Sequence, residues 1–100
     1  MVIYEISRLN TGGPLMQTIM IDGSMYPTPR EMHLALKKML RLPEYYGLNA
    51  DALNDCLGEK TEKVSLWILD PGAGETAEAV SRVSMVIRDN GGEVKELHRA

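Results

Sequence analysis

The sequence predicts an α/β fold, a small three-stranded parallel sheet in the order 1-2-3 with helices packed on it. Two patterns carry that reading. Segments follow one another as strand, helix, helix, strand, helix, strand, so successive strands are separated by helical chain, the connection that parallel pairing requires. The fourth of these segments, residues 64–69, reads Val-Ser-Leu-Trp-Ile-Leu and is the most apolar run in the chain, as a central strand covered on at least one face should be. Right-handed crossovers between neighbouring strands then place the helices on one face. A chain of 100 residues suits one domain with a modest core, so residues 1–100 are read as a single unit.

The segments are legible in order. Residues 2–8 alternate too loosely for a clean amphipathic strand, yet their β-branched content favours extended chain, and Thr11-Gly12-Gly13-Pro14 breaks it. A second extended run, 16–21, ends at the turn signal Asp22-Gly23. The simplest arrangement pairs 2–8 beside 16–21, making residues 1–16 an N-terminal extension or an added hairpin strand at the sheet edge. Thr28-Pro29-Arg30-Glu31 opens a helix running to about Arg41: Thr28 caps, Pro29 suits the first helical position, and Glu31 stands where a capping box needs it. Its buried stripe is Met32, Ala35, Leu36, Met39 and Leu40, with Lys37, Lys38 and Arg41 outward and His33 at the boundary.

Pro43 then opposes helix, Gly47 permits a turn, and Asn49 caps a short helix from Ala50 to about Leu57, with Gly58 beyond its end. Leu53, Cys56 and Leu57 form its buried stripe. Trp67 is expected in the core, or half-exposed on an uncovered sheet face. Gly72-Ala73-Gly74 lacks the Gly-Lys-Ser/Thr ending of a phosphate loop and reads as a strand-to-helix turn. The longest helix, 75–89, faces the core with Ala79, Val80, Val83, Val86 and Ile87, and Thr76 stands at the start of that side; Asn90-Gly91-Gly92 stops it. Residues 93–98 alternate weakly and are highly charged, which suits a protected edge strand.

Composition excludes several functions. No apolar run approaches the ~20 residues that span a bilayer, and no basic stretch followed by an apolar one opens the chain, so no membrane partner and a cytoplasmic location are expected. Cys56 is the only cysteine, which excludes an intrachain disulfide and a cysteine-based zinc cage; on an apolar face it reads as a small buried hydrophobe. No second histidine or acid stands at ligand spacing from His33, so neither metal nor cofactor is expected.

Charge is concentrated in one place. Residues 42–59 contain Glu44, Asp51, Asp55 and Glu59 and no Lys or Arg, so with a net charge of −3 the rest of the chain carries +1. Such an island repels nucleic acid and attracts a basic partner. Asp51 and Asp55 stand four apart on the helix side opposite the apolar stripe, with Asn54 between them. That spacing costs an isolated helix a few tenths of a kcal/mol. Spacing alone leaves two readings open, ordinary solvated positions or a face that something outside the helix needs. As paired carboxylates of an enzyme the two aspartates lack an adjoining histidine, nucleophile or metal-ligand set.

Residue identity goes further. Leu42-Pro43-Glu44-Tyr45-Tyr46-Gly47, then Asn49, Asp51-Ala52-Leu53 and Asp55-Cys56-Leu57, preceded by His33, Leu36-Lys37-Lys38 and Leu40, resembles the signature of the barstar family of ribonuclease inhibitors. The resemblance is close from Ile19 to Gly58, about two-fifths of the chain, and elsewhere is one of element order. It implies the same parallel three-stranded sheet, with its first strand at 18–22. It also implies a non-enzymatic protein, a monomer when free, that plugs the cleft of a basic extracellular-type ribonuclease or related toxin in an immunity role. Tyr45, Tyr46, Gly47, Asn49, Asp51 and Asp55 are the implied partner-binding residues, with Asp55 as anchor and carboxylates standing where substrate phosphates would. Asn54 departs from the family, which carries an aromatic residue there; Leu48 replaces an acid, and Val86 or Ile87 stands where a contacting glutamate is expected. These departures keep two alternatives in view: immunity to a different toxin, or an interaction module that does not inhibit.

Overall fold

The computed structural model describes residues 16–97. The elements are β1 (Met16–Asp22), a 3-10 turn (Gly23–Met25), α1 (Pro29–Leu40), α2 (Ala50–Gly58), β2 (Lys63–Asp70), α3 (Gly74–Asp89) and β3 (Glu93–Glu96). The sheet is parallel with the order β1-β2-β3, as expected from the sequence. The pairing proposed for residues 2–8 lies outside the described residues, as does His98.

Register sorts the two faces of the sheet. Ile19 pairs with Leu66 and Leu66 with Val94, and these side chains join Ile21, Val64 and Ile68 in the core shared with the helices. One residue along, Met20, Trp67 and Lys95 align on the other face, as the strand period of two dictates. Trp67 is therefore half-buried rather than enclosed, and Lys95 Nζ stands 5.6 Å from its ring centroid, within cation–π range. At the end of β1 the register slips between Ile21 and Asp22, and the chain passes so close to the turn after β2 that a Cβ on Gly23 would lie 2.5 Å from the Pro71 backbone. Only glycine fits there.

Helix α1 starts as expected, with the Thr28 hydroxyl accepting from the Glu31 N–H at 3.4 Å. Its end holds more than the sequence shows. Arg41 turns left-handed at φ 53°; its N–H reaches Lys38 O at 3.3 Å and the Leu42 N–H reaches Lys37 O at 2.9 Å. Gln17 from β1 donates to Met39 O at 2.9 Å, and Lys60 donates to Leu40 O at 3.3 Å. All four terminal carbonyls are thereby satisfied, two of them from distant chain, which anchors the loop that follows.

His33 is not a boundary residue. It is 3% exposed, beside Met32, Leu36 and Leu40, because Tyr46 from the next loop covers that side of α1 and supplies a hydrogen-bond partner. On α3, Thr76, Val80, Val83, Ser84 and Ile87 are buried, with Ala79 and Val86 half-buried. The Thr76 hydroxyl donates to Tyr26 O at 3.1 Å, and the buried Ser84 hydroxyl is satisfied locally by Val80 O at 2.9 Å.

Candidate functional site: the acidic loop and helix α2

Residues 43–49 form the loop that delivers the chain into α2. The Tyr46 N–H closes a turn on Pro43 O at 3.0 Å. Its two tyrosines face opposite ways. Tyr46 is 4% exposed, its phenol oxygen 2.6 Å from His33 Nδ1 and its ring tilted against the imidazole at a centroid distance of 5.9 Å. Burial pushes the phenol well above its ordinary range and pulls the imidazole below its own, so both groups stay neutral. An imidazole that carries its proton on Nε2 can accept a hydrogen bond from the phenol O–H at Nδ1, with both groups neutral. Tyr45, one residue earlier, is 74% exposed, and its phenol donates to Glu59 Oε1 at 3.2 Å. That carboxylate is the first cause of the raised pKa of Tyr45.

The turn into α2 uses an unexpected residue. Leu48 adopts the left-handed conformation at φ 57°, whereas Gly47 does not, and a Cβ on Gly47 would meet Ala52 at an ordinary 3.4 Å. Leu48 packs on the core, which holds it in that conformation. Asn49 then caps α2 as expected: its side-chain oxygen accepts from the Ala52 N–H at 2.8 Å, while its amide donates to Gly47 O at 3.2 Å. Leu53, Cys56 and Leu57 are buried, and burial is the main cause raising the Cys56 thiol pKa, as suits an inert core position.

Asp51, Asn54 and Asp55 are exposed on the outward side, with Glu59 at the C-cap. Among the described residues neither aspartate makes an ion pair. Lys37 pairs with Glu44 at 3.5 Å, and Lys60 donates to Leu40 O at 3.3 Å. Asn54 accepts from Asn90 Nδ2 at 2.9 Å, and the same amide group reaches Val86 O at 2.9 Å, so the middle of α2 is tied to the end of α3. Of the six residues expected to meet a partner, Tyr45, Gly47, Asn49, Asp51 and Asp55 are exposed, and Tyr46 is turned inward as a brace. Sequence reasoning missed His33, Glu59 and Asn90 as supports of this surface. Each meets its partner across 13 to 36 residues, beyond any local pattern. Among the described residues no group of histidine, cysteine and acidic side chains is arranged to hold a metal ion. No described helix is long and apolar enough to cross a membrane.

The family described as Barstar (barnase inhibitor) matches residues 16–96. The chain belongs to the barstar family. A Bacillus subtilis (strain 168) protein named "Putative ribonuclease inhibitor YrdF" is 48% identical over 42 residues, which is 42% of this chain and 46% of that protein. The match thus spans less than half of the relative's length. The parallel sheet in the order β1-β2-β3 with its three helices is consistent with the barstar fold, and the family's description is that of an inhibitor rather than an enzyme.

Proposed function

We propose that this chain inhibits a basic ribonuclease by covering its active-site cleft with the loop at residues 45–47 and helix α2. The observation that carries this reading is the pair Asp51 and Asp55, exposed one turn apart and without a cationic partner among the described residues, on a helix capped at its start and braced at its middle. A like-charge pair of this kind is unfavourable in the free protein and becomes favourable when cationic groups approach. An enzyme that holds phosphates with Arg and Lys supplies such groups, and the acidic field speeds encounter with it. Tyr45 adds an aromatic contact beside the carboxylates, while Tyr46 holds the loop from beneath. Family membership and the similarity to a protein named as a ribonuclease inhibitor point the same way. In this reading the protein acts in the cytoplasm, is a monomer when free, and protects a cell from the enzyme it binds.

Catalysis by the same residues has little support: His33, the one described histidine, is enclosed against Tyr46 and does not reach the aspartates. One observation favours a second reading, immunity to a different toxin through the same face. Asn54, where family inhibitors carry an aromatic residue, is bound to Asn90 and presents a polar centre instead. Titrating the purified protein into a panel of basic microbial ribonucleases, with RNA cleavage as readout, tests both. Stoichiometric loss of activity in one of them is the expected result. Binding without loss of activity would leave an interaction module, and no binding across the panel would favour the other toxin.

A further inference from the structure

Tyr45 is the one exposed aromatic side chain among the described residues: Tyr46 is buried, Tyr26 and Trp67 are half-buried, and Trp67 lies on the open face of the sheet. Buried interface centres are enriched in tyrosine, tryptophan and arginine, so with Asn54 polar the aromatic contact of this surface falls to Tyr45. An exposed tyrosine on a loop would ordinarily sample several rotamers, and binding would have to remove that freedom. Here the phenol is tethered. Its O–H donates to Glu59 Oε1 across 14 residues, from the loop to the end of α2, so the ring leans toward the helix that bears Asp51 and Asp55.

We propose that Glu59 is a positioning residue of the inhibitory face, holding the Tyr45 ring, before any partner arrives, in the place where it meets the target. This rests on the proposed inhibitory role of the face. Neighbouring contacts make the tether effective at both ends. The loop is fixed from beneath by Tyr46 and His33, and Glu59 is fixed at the helix end, its N–H reaching Cys56 O at 3.2 Å. Two adjacent tyrosines thus tie one loop to two helices, Tyr46 to α1 and Tyr45 to the end of α2. The tether uses one carboxylate oxygen as acceptor, a role that a side-chain amide oxygen can also fill. The phenol is protonated at neutral pH and so serves as the donor, and the Glu59 carboxylate raises its pKa further.

A double-mutant cycle on inhibition tests the proposal, using a basic microbial ribonuclease that the wild-type chain inhibits. Glu59→Ala should weaken inhibition about fivefold in the wild-type background and less than about twofold in the Tyr45→Phe background, where there is no phenol to hold. Glu59→Gln, which keeps an acceptor, should stay within about twofold of wild type. In the free protein, NMR titration of the Tyr45 ring should show its pKa falling toward the ordinary value in Glu59→Ala, with the melting temperature unchanged. Equal losses in both backgrounds, a loss in Glu59→Gln as large as in Glu59→Ala, or an unmoved Tyr45 titration overturns the positioning role. If Asp55→Ala still abolishes inhibition in those cases, the inhibitory face itself stands. A wild-type chain that inhibits none of the panel overturns both.

Discussion

Among the described residues Arg41 and Leu48 are the non-glycine positions with positive φ, and they flank the loop that carries the acidic surface. A left-handed L-residue costs roughly 1–2 kcal/mol, and glycine returns part of that as unfolded-chain entropy. Arg41 is exposed and its Cβ serves no packing, so Arg41→Gly should stabilise by about 0.5–1 kcal/mol, seen as a higher urea midpoint with an unchanged slope. Leu48 is held by the core, and its replacement trades strain for lost packing. The His33–Tyr46 pair sets a pH dependence. Burial lowers the His33 pKa below 6.5, so below that value the unfolded chain binds a proton more readily than the folded one. Stability is complete above about pH 6.5 and is lost as pH falls toward the lower folded-state value. Urea melts between pH 7.5 and 5.5 should show this decline, and His33→Gln should flatten it. Asp55→Ala should weaken inhibition by about a hundredfold or more while leaving the melting temperature nearly unchanged. Truncation strands a desolvated cation of the target, whereas in the free protein it relieves a like-charge pair. A large fall in melting temperature for this variant would place the binding face elsewhere.

Helix α2 depends on its ends and its neighbours more than on its own length, since nine residues are too few to be stable alone. Asn49 supplies the cap, Leu53, Cys56 and Leu57 the buried side, and Asn90 a hydrogen bond from α3. Asn49→Ala should cost about 1 kcal/mol of stability and should also weaken inhibition, because fraying begins in the turn that holds Asp51. Melting curves and inhibition constants for this variant should move together. The two properties should separate in variants of the outward aspartates and of Glu59.

In the whole molecule charge is segregated: an acidic loop and helix stand against a remainder that sums to +1. Under the proposed function, attraction between this surface and a basic enzyme would act over several ångströms before contact and be screened by salt, the Debye length falling from about 10 Å at 0.1 M to about 3 Å at 1 M. The association rate should therefore fall by about an order of magnitude between low and high salt, with the dissociation rate changing less. Stopped-flow mixing at several ionic strengths measures both. An association rate independent of salt would remove electrostatic steering from the account. The sheet and helices form the stiff base behind this surface, with Gln17 from β1 and Lys60 from the α2–β2 connection closing the end of α1 just before the loop begins.

Local chemistry alone specified much of this protein. Thr28 and Asn49 cap the helices they precede, residues 64–69 form the central strand, and Asp51 and Asp55 lie on the outward side of α2, because capping, strand period and helix period act between residues a few positions apart. The motif in residues 42–59 carried the family as well. Three things had to wait for tertiary structure. His33 became a buried partner of Tyr46, Glu59 became the acceptor of Tyr45, and Trp67 took the open sheet face beneath Lys95. The helical or extended pattern around each residue is the same whichever partner it meets. The choice is made when strands and helices pack and a polar group must find its hydrogen bond or leave a solvated position for a buried one, and that partner stands on another element.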